Sequence, residues 1–257
     1  MTALLELHRL SRSFGGVKAL QEIELTVPEG LVFALIGPNG AGKTTLINVL
    51  TGLLPPSAGR AVFRGRDLTG AAPHRVTQAG IARTFQTGRL FPRLSVTENV
   101  MTGGQHRLSR SVLSGILPWP GVRQAERRLR HDALGPLRRL GIESAADQPV
   151  GTLPYGRRRL VEIARALAAG PALLLLDEPA AGLNSREATG LIELLQSLKA
   201  DGISTILIEH NMGLVMRVAD RIAVLNFGRK IAEGTPAEIR GNAQVLEAYL
   251  GHGYSHA

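Results

Sequence analysis

An α/β fold on a parallel sheet, with an antiparallel β lobe at the N-terminus and an inserted helical lobe, is what the sequence predicts from three observations. The apolar run Leu31-Val-Phe-Ala-Leu-Ile36 leads straight into G-P-N-G-A-G-K-T-T at Gly37 to Thr45 and then into an apolar helical pattern at Leu46, Val49 and Leu50. Strand patterns at 172–176, 203–208 and 221–225 alternate with helical patterns at 185–199 and 211–218, as in strands laid parallel and covered on both faces. From Gly88 to Gly151 strand patterns give way to helical ones.

Taken in order, Leu5 to Leu10 and Ile23 to Val27 alternate apolar and polar residues as half-buried strands do, with Phe14-Gly15-Gly16 between them, so the opening is antiparallel. Ala61 to Arg64 is another short strand, and Pro73 starts a short helix that Gly80 ends. The helical region is punctuated at Pro92, Gly103-Gly104, Pro118-Trp119-Pro120 and Pro136, each expected to break a helix. Within it, the arginine-rich segment 123–139 has the pattern of a solvated helix face, with Leu129, Ala133 and Leu137 turned inward. The boundaries expected are 1–87 and 169–257 for the β lobe and core, and 88–168 for the helical lobe, all in a single domain.

The segment Gly37 to Thr45 fits G-x-x-x-x-G-K-T, a demanding pattern for phosphate binding. Its glycines (Gly37, Gly40, Gly42) let backbone N–H groups turn inward on phosphate oxygens, with Pro38, Asn39 and Ala41 completing the loop. Lys43 supplies a point charge to the β and γ phosphates, the Thr44 hydroxyl can ligate Mg²⁺, and Thr45 follows at the helix start. A second element lies at Leu173-Leu-Leu-Leu-Asp177-Glu178, where a buried strand delivers two carboxylates at its C-terminal end, the end at which parallel sheets bind ligands. Asp177 is suited to hold Mg²⁺ through its water shell and Glu178 to deprotonate an attacking water.

Composition limits the alternatives. Hydrophobic residues make up 44% of 257, enough for a sizeable core, and there is no cysteine, so neither a disulfide framework nor thiol chemistry is available. His8, Arg9, Arg12 and Lys18 interrupt every apolar stretch of the opening, unlike a secretory signal, and the longest apolar runs are of strand length. A membrane role would therefore go through a partner. The net charge of +9 raises the possibility of nucleic acid, but the basic residues are almost all arginine and one of their two clusters has the helical pattern above, so no nucleic-acid partner is expected.

Further segments make the chain resemble the ATP-binding cassette (ABC) ATPases over essentially its whole length. These are Gln86 in T-F-Q-T-G-R-L-F-P; Leu153, Pro154, Tyr155, Gly156 and Arg157 ahead of R-R-L-V-E-I-A-R-A-L; the loop Ala180 to Asn184; His210 after the strand at 203–208; and Phe14. The resemblance implies that Phe14 stacks on adenine and that Gln86 links metal and water to the helical lobe and the membrane partner. It further implies that 153–157 is the signature that completes a partner's ATP site in trans, that Ala180 to Asn184 contacts the partner, and that His210 meets the γ phosphate. Taken singly, Phe14 could be core packing, Gln86 a surface loop residue and His210 a capping or buried histidine; their order along the chain favours the functional roles. The cofactors implied are ATP and Mg²⁺.

The segments R-S-F-G-G-V-K-A-L, R-T-F-Q-T-G-R-L-F, D-E-P-A-A-G-L-N and G-T-P-A-E-I-R followed by A-Y-L-G are most similar to the ATPases of branched-chain amino acid importers. That branch implies a second ATPase subunit, as a homodimer or preferably a heterodimer, transmembrane permease subunits, and indirectly a periplasmic or extracellular substrate-binding protein. It also implies a place on the cytoplasmic face of the inner membrane, held there by the permeases. Exporters of lipopolysaccharide and other transporters would share every catalytic residue, and a non-transport nucleotide switch is disfavoured by Glu178 and His210. The signature departs from the usual L-S-G-G-Q, because Pro154 lacks serine's hydroxyl and N–H and Arg157 replaces glutamine. The ATP site it completes is expected to be weakened.

Overall fold

The computed structural model describes residues 2–84, 90–105 and 120–250. The chain opens as a long hairpin, β1 (Ala3–Phe14) and β2 (Val17–Pro28), turned at Gly15-Gly16; β4 (Ala58–Phe63) and β5 (Arg66–Asp67) complete an antiparallel sheet of order β2-β1-β4-β5. The expected strand at 61–64 is thus longer at its N-terminal side. The second sheet contains β3 (Val32–Ile36), β6 (Ile81–Arg83), β7 (Leu173–Asp177), β8 (Ser204–Ile208), β9 (Arg221–Asn226) and β10 (Arg229–Gly234) in the order β10-β9-β3-β8-β7-β6. Every neighbouring pair in it is parallel except β10 with β9. β6 and β10 lie at its two edges and carry no periodic signal in the sequence.

The parallel strands are buried on both faces, so their side chains alternate between two cores. Leu174, Leu176 and Leu207 face the helical lobe and α6 (Ser185–Ala200), whereas Leu173, Leu175, Ile206 and Ile208 join α1 (Lys43–Leu50) and the antiparallel sheet. This two-sided burial explains continuous apolar runs where a half-exposed strand would alternate. A third, smaller core places Ala34, Ile36, Ile222 and Val224 against α7 (Met212–Val218), α8 (Pro236–Arg240) and α9 (Ala243–Leu250). α2 (Pro73–Ala79), capped by Gly80 at φ 105°, feeds β6.

The helical lobe consists of α3 (Val96–Gly104), α4 (Pro120–Arg139) and α5 (Tyr155–Ala168), packed on one another. The expected break at Pro136 does not occur: α4 runs through it. Proline there forfeits one hydrogen bond in the final turn, while Ala133 and Leu137, 1% and 0% exposed, anchor the turns on either side in the core. Leu129 is half-buried. At Gly103 α3 approaches α5 so closely that a Cβ would strike the Arg165 carbonyl. Buried Asn99 secures the loop before α3, accepting from Phe91 N–H (2.8 Å) and donating to the carbonyls of Phe91 (3.1 Å) and Ser95 (2.9 Å).

Candidate functional site

Between β3 and α1 the chain makes the glycine-rich turn. Gly37 (φ 147°), Gly40 (φ 78°) and Gly42 (φ 102°) all adopt left-handed backbone, which a side chain would strain. At Gly37 and Gly42 space forbids one as well, since a Cβ on Gly37 would meet the Leu225 carbonyl of β9 and one on Gly42 would lie 2.6 Å from the Ala19 carbonyl of β2. The turn is therefore wedged between the two sheets. Tyr249 of α9 lies beside the turn, where burial pushes its phenol up and the nearby Gly37 backbone opposes that shift.

Lys43 is buried and donates to the carbonyls of Gly37 (2.6 Å) and Pro38 (2.9 Å). Burial pushes its ammonium below the usual lysine range, opposed by the charges of Glu178 and Asp177. Thr44 is exposed at the start of α1 and Thr45 half-buried beside it. A cleft of about 260 Å³ opens over the turn, lined by Asn39, Gly40, Lys43, Thr44, Glu178 and His210 among others.

Asp177 ends β7 and is 2% exposed, its Oδ2 3.0 Å from Arg83 Nη2 of β6; Arg83 Nη1 also donates to Asn48 Oδ1 of α1 at 2.5 Å. Glu178 then turns sharply at φ 50° and its Oε1 meets His210 Nε2 at 2.9 Å. Two further anchors hold the segment. Arg159 of α5 donates to the carbonyls of Asp177 and Glu178, and buried Glu209 accepts from Ala180 N–H at 2.8 Å and from His210 N–H at 3.2 Å. Glu209 thereby ties the loop after Glu178 to the residue that Glu178 faces.

The structure thus brings the loop 37–45, Glu178 and His210 to one cleft, with Asp177 directly behind. Phe14, at the end of β1, is exposed rather than core, with the Arg12 guanidinium 4.6 Å from its ring centroid; Ala19, on the other strand of that hairpin, lines the cleft. Leu153 is buried, Pro154 caps α5 without a side-chain bond, and Tyr155, 54% exposed, Gly156 and Arg157 form its first turn, none of them lining this cleft. Gln86 lies outside the described residues.

Residues 20–181 match the family described as "ABC transporter", and residues 229–255 match that described as "Branched-chain amino acid ATP-binding cassette transporter". The high-affinity branched-chain amino acid transport ATP-binding protein BraF of Pseudomonas aeruginosa is 40% identical over 96% of this chain and 98% of its own. The chain belongs to the ABC transporter family. As an ABC protein it is an ATP-binding, ATP-hydrolysing subunit of a membrane transporter, and among the described residues no helix is long and apolar enough to cross a membrane. The crystal structure of the ADP conformation of the cassette MJ1267 superposes with a TM-score of 0.85 at 33% identity, covering 98% of this chain and 100% of that one. A dimeric post-hydrolysis structure of the cassette MJ0796, bound to ADP and Pi, has a TM-score of 0.77 at 25% identity, covering 91% and 99%.

Three residues of this ABC site are not found by sequence reasoning: Arg83, Arg159 and Glu209. The local signal of Arg83 and Glu209 is a charge adjoining an apolar strand, while Arg159 sits in the run Arg157-Arg158-Arg159 at the start of α5; each acquires its role through a partner elsewhere in the chain, 94 residues away for the Arg83–Asp177 pair.

Proposed function

We propose that this chain powers the import of branched-chain or other hydrophobic amino acids, with Glu178 as the base that activates water against the γ phosphate of ATP. The observation that carries the chemistry is the Glu178–His210 contact of 2.9 Å at a cleft floored by Lys43 and the glycine turn. The cargo and the direction of transport are carried by the likeness to BraF and by the C-terminal match at 229–255.

In this account a triphosphate replaces the two carbonyls that Lys43 now holds, exchanging neutral acceptors for charged ones, and the backbone N–H groups from Gly40 to Thr45 at the α1 N-terminus receive the remaining oxygens. Glu178, fixed by Ile208, Arg159 and His210, orients a water and takes its proton; His210 holds the carboxylate's direction and meets the γ phosphate. The Thr44 hydroxyl and the Asp177 carboxylate, anchored by Arg83, fit a hard cation that completes its shell with phosphate and water, as Mg²⁺ does. Bound there, Mg²⁺ would neutralise phosphate charge. Gln86 is assigned to the same metal, and Phe14, exposed and beside Arg12, to adenine.

We place residues 153–157 on the ATP of a partner cassette, because they lie away from the cleft of their own chain and present the N-terminus of α5. A heterodimer suits the altered signature. The permease contact falls on a groove of about 410 Å³ between the α1–α2 region and the helical lobe, where Leu53 and Phe91 expose apolar surface. Core (1–87, 169–257) and helical lobe (88–168) form one nucleotide-binding domain on the cytoplasmic face of the membrane, supplied from outside by a binding protein.

Reconstitution with its permeases, partner ATPase and binding protein in proteoliposomes tests this account. Leucine or valine should stimulate hydrolysis and accumulate inside, and Glu178→Gln should abolish both. Stimulation by a non-amino-acid solute alone would overturn the cargo, and unimpaired hydrolysis by Glu178→Gln would overturn the chemistry.

A further inference from the structure

We infer that Arg159 is a positioning residue for hydrolysis, fastening the helix that carries the signature to the backbone of this chain's own Glu178. The inference rests on the proposed role of Glu178 as base. Arg159 lies in the second turn of α5 and is 3% exposed. One guanidinium nitrogen, Nη2, donates to the carbonyls of both Asp177 and Glu178, the latter at 3.0 Å, and Nη1 donates to Glu162 Oε2 at 2.6 Å. Glu162, one turn on in α5 and 4% exposed, thus holds the guanidinium from behind.

The backbone that Arg159 grips is the one most in need of restraint. Glu178 has φ 50°, a left-handed conformation that is disfavoured for a non-glycine residue, and it precedes Pro179, which narrows its choices further. Its N–H donates to the Ile208 carbonyl at 2.9 Å and its own carbonyl accepts from Arg159, so the residue is clamped from both sides and its carboxylate is directed at His210. A fixed, charge-assisted donor shared by two consecutive carbonyls sets the orientation of both peptides at once.

Two contacts nearby extend the connection to the signature itself. The Tyr155 ring packs over Gly182 so closely that a Cβ there would lie 2.6 Å from it, and a Cβ on Gly156 would lie 2.6 Å from the Glu187 carboxylate. The first turn of α5 and the segment from Asp177 to Glu187 therefore behave as one body. What α5 meets in a partner cassette is transmitted through Arg159 to the direction of Glu178.

The test compares Arg159→Gln and Arg159→Lys in the full chain, with its permeases co-expressed if the chain alone does not turn over. kcat, ATP KM, the Kd of a fluorescent ATP analogue and the melting temperature are measured for each. Arg159→Gln should lower kcat roughly 10- to 100-fold, the penalty of a displaced catalytic group, with nucleotide Kd changed less than about twofold. Arg159→Lys should recover part of kcat, because an ammonium can still reach one carbonyl. Should Arg159→Gln fail to fold, Arg159→Lys decides: a lowered kcat at unchanged Kd and melting temperature supports the role. An unchanged kcat, or a kcat and melting temperature that fall together while Kd rises, overturns it. Glu178→Gln run alongside separates the two levels. If that variant hydrolyses ATP normally, the base assignment itself fails; if it is inactive while Arg159→Gln and Arg159→Lys turn over like wild type, only the Arg159 inference fails.

Discussion

At the scale of single residues, the phosphate loop sets function against stability. Lys43 is buried among backbone carbonyls with its ammonium disfavoured, so its charge costs the nucleotide-free fold something that nucleotide binding returns. Lys43→Met keeps the stem and deletes the charge. It should abolish ATP hydrolysis while leaving the melting temperature of the nucleotide-free chain unchanged or higher, and ATP should no longer raise that temperature. A melting temperature well below wild type would mean that Lys43 serves the fold rather than the ligand. Gly37 illustrates the opposite constraint, since its left-handed φ and the Leu225 carbonyl leave room for hydrogen only.

Individual elements owe their ends to local chemistry that is sensitive to pH. α3 begins in a capping box in which Ser95 Oγ accepts from Glu98 N–H (3.1 Å) and Glu98 Oε2 accepts from Ser95 N–H (2.7 Å). The Ser95 backbone N–H, and then its hydroxyl, hold the Glu98 carboxyl below its ordinary value. Because the folded pKa is the lower one, this contribution is present above the unfolded carboxylate pKa and is lost as pH falls through the folded value. Glu98→Gln should therefore flatten the acid limb of the stability curve, seen as denaturation midpoints that converge with wild type as pH falls from neutral to below the usual carboxylate range. The boxes at Asn184/Glu187 and Thr235/Glu238 are built alike, and Glu238 is lowered for the same reason. α4 shows tertiary packing prevailing over a local breaker, as Leu137 holds the helix beyond Pro136.

For the molecule as a whole, residues 153–157 do not line the cleft, and the proposed use of this segment on a second cassette's ATP predicts an association that can be measured. With hydrolysis blocked in Glu178→Gln, light scattering should show a larger species when Mg-ATP is present together with the partner cassette. A dimer of this chain alone would show instead that the Pro154 signature suffices. Pro154 caps α5 with neither a side-chain acceptor nor an N–H to offer. Pro154→Ser should raise ATPase turnover of the assembled transporter, and an unaltered rate would mean that the helix N-terminus and Gly156 carry the contact without it.

The phosphate loop, Asp177 and Glu178 are legible in the sequence itself, because each belongs to a short contiguous pattern, an apolar strand followed at once by the residues it delivers; His210 is legible only through its place in the order of motifs. The parallel sheet was equally legible, since strands buried on both faces must be written as unbroken apolar runs. The edge strands β6 and β10 were not, one being only three residues long and the other largely half-buried, so neither shows a period of its own. Only the tertiary structure decided how the site is held. Arg83 on Asp177, Arg159 on the carbonyls of Asp177 and Glu178, and Glu209 between Ala180 and His210 join segments remote in sequence. A charge beside an apolar strand, or one arginine in a run of three, reads as ordinary until folding removes it from water, and burial then requires it to find a partner.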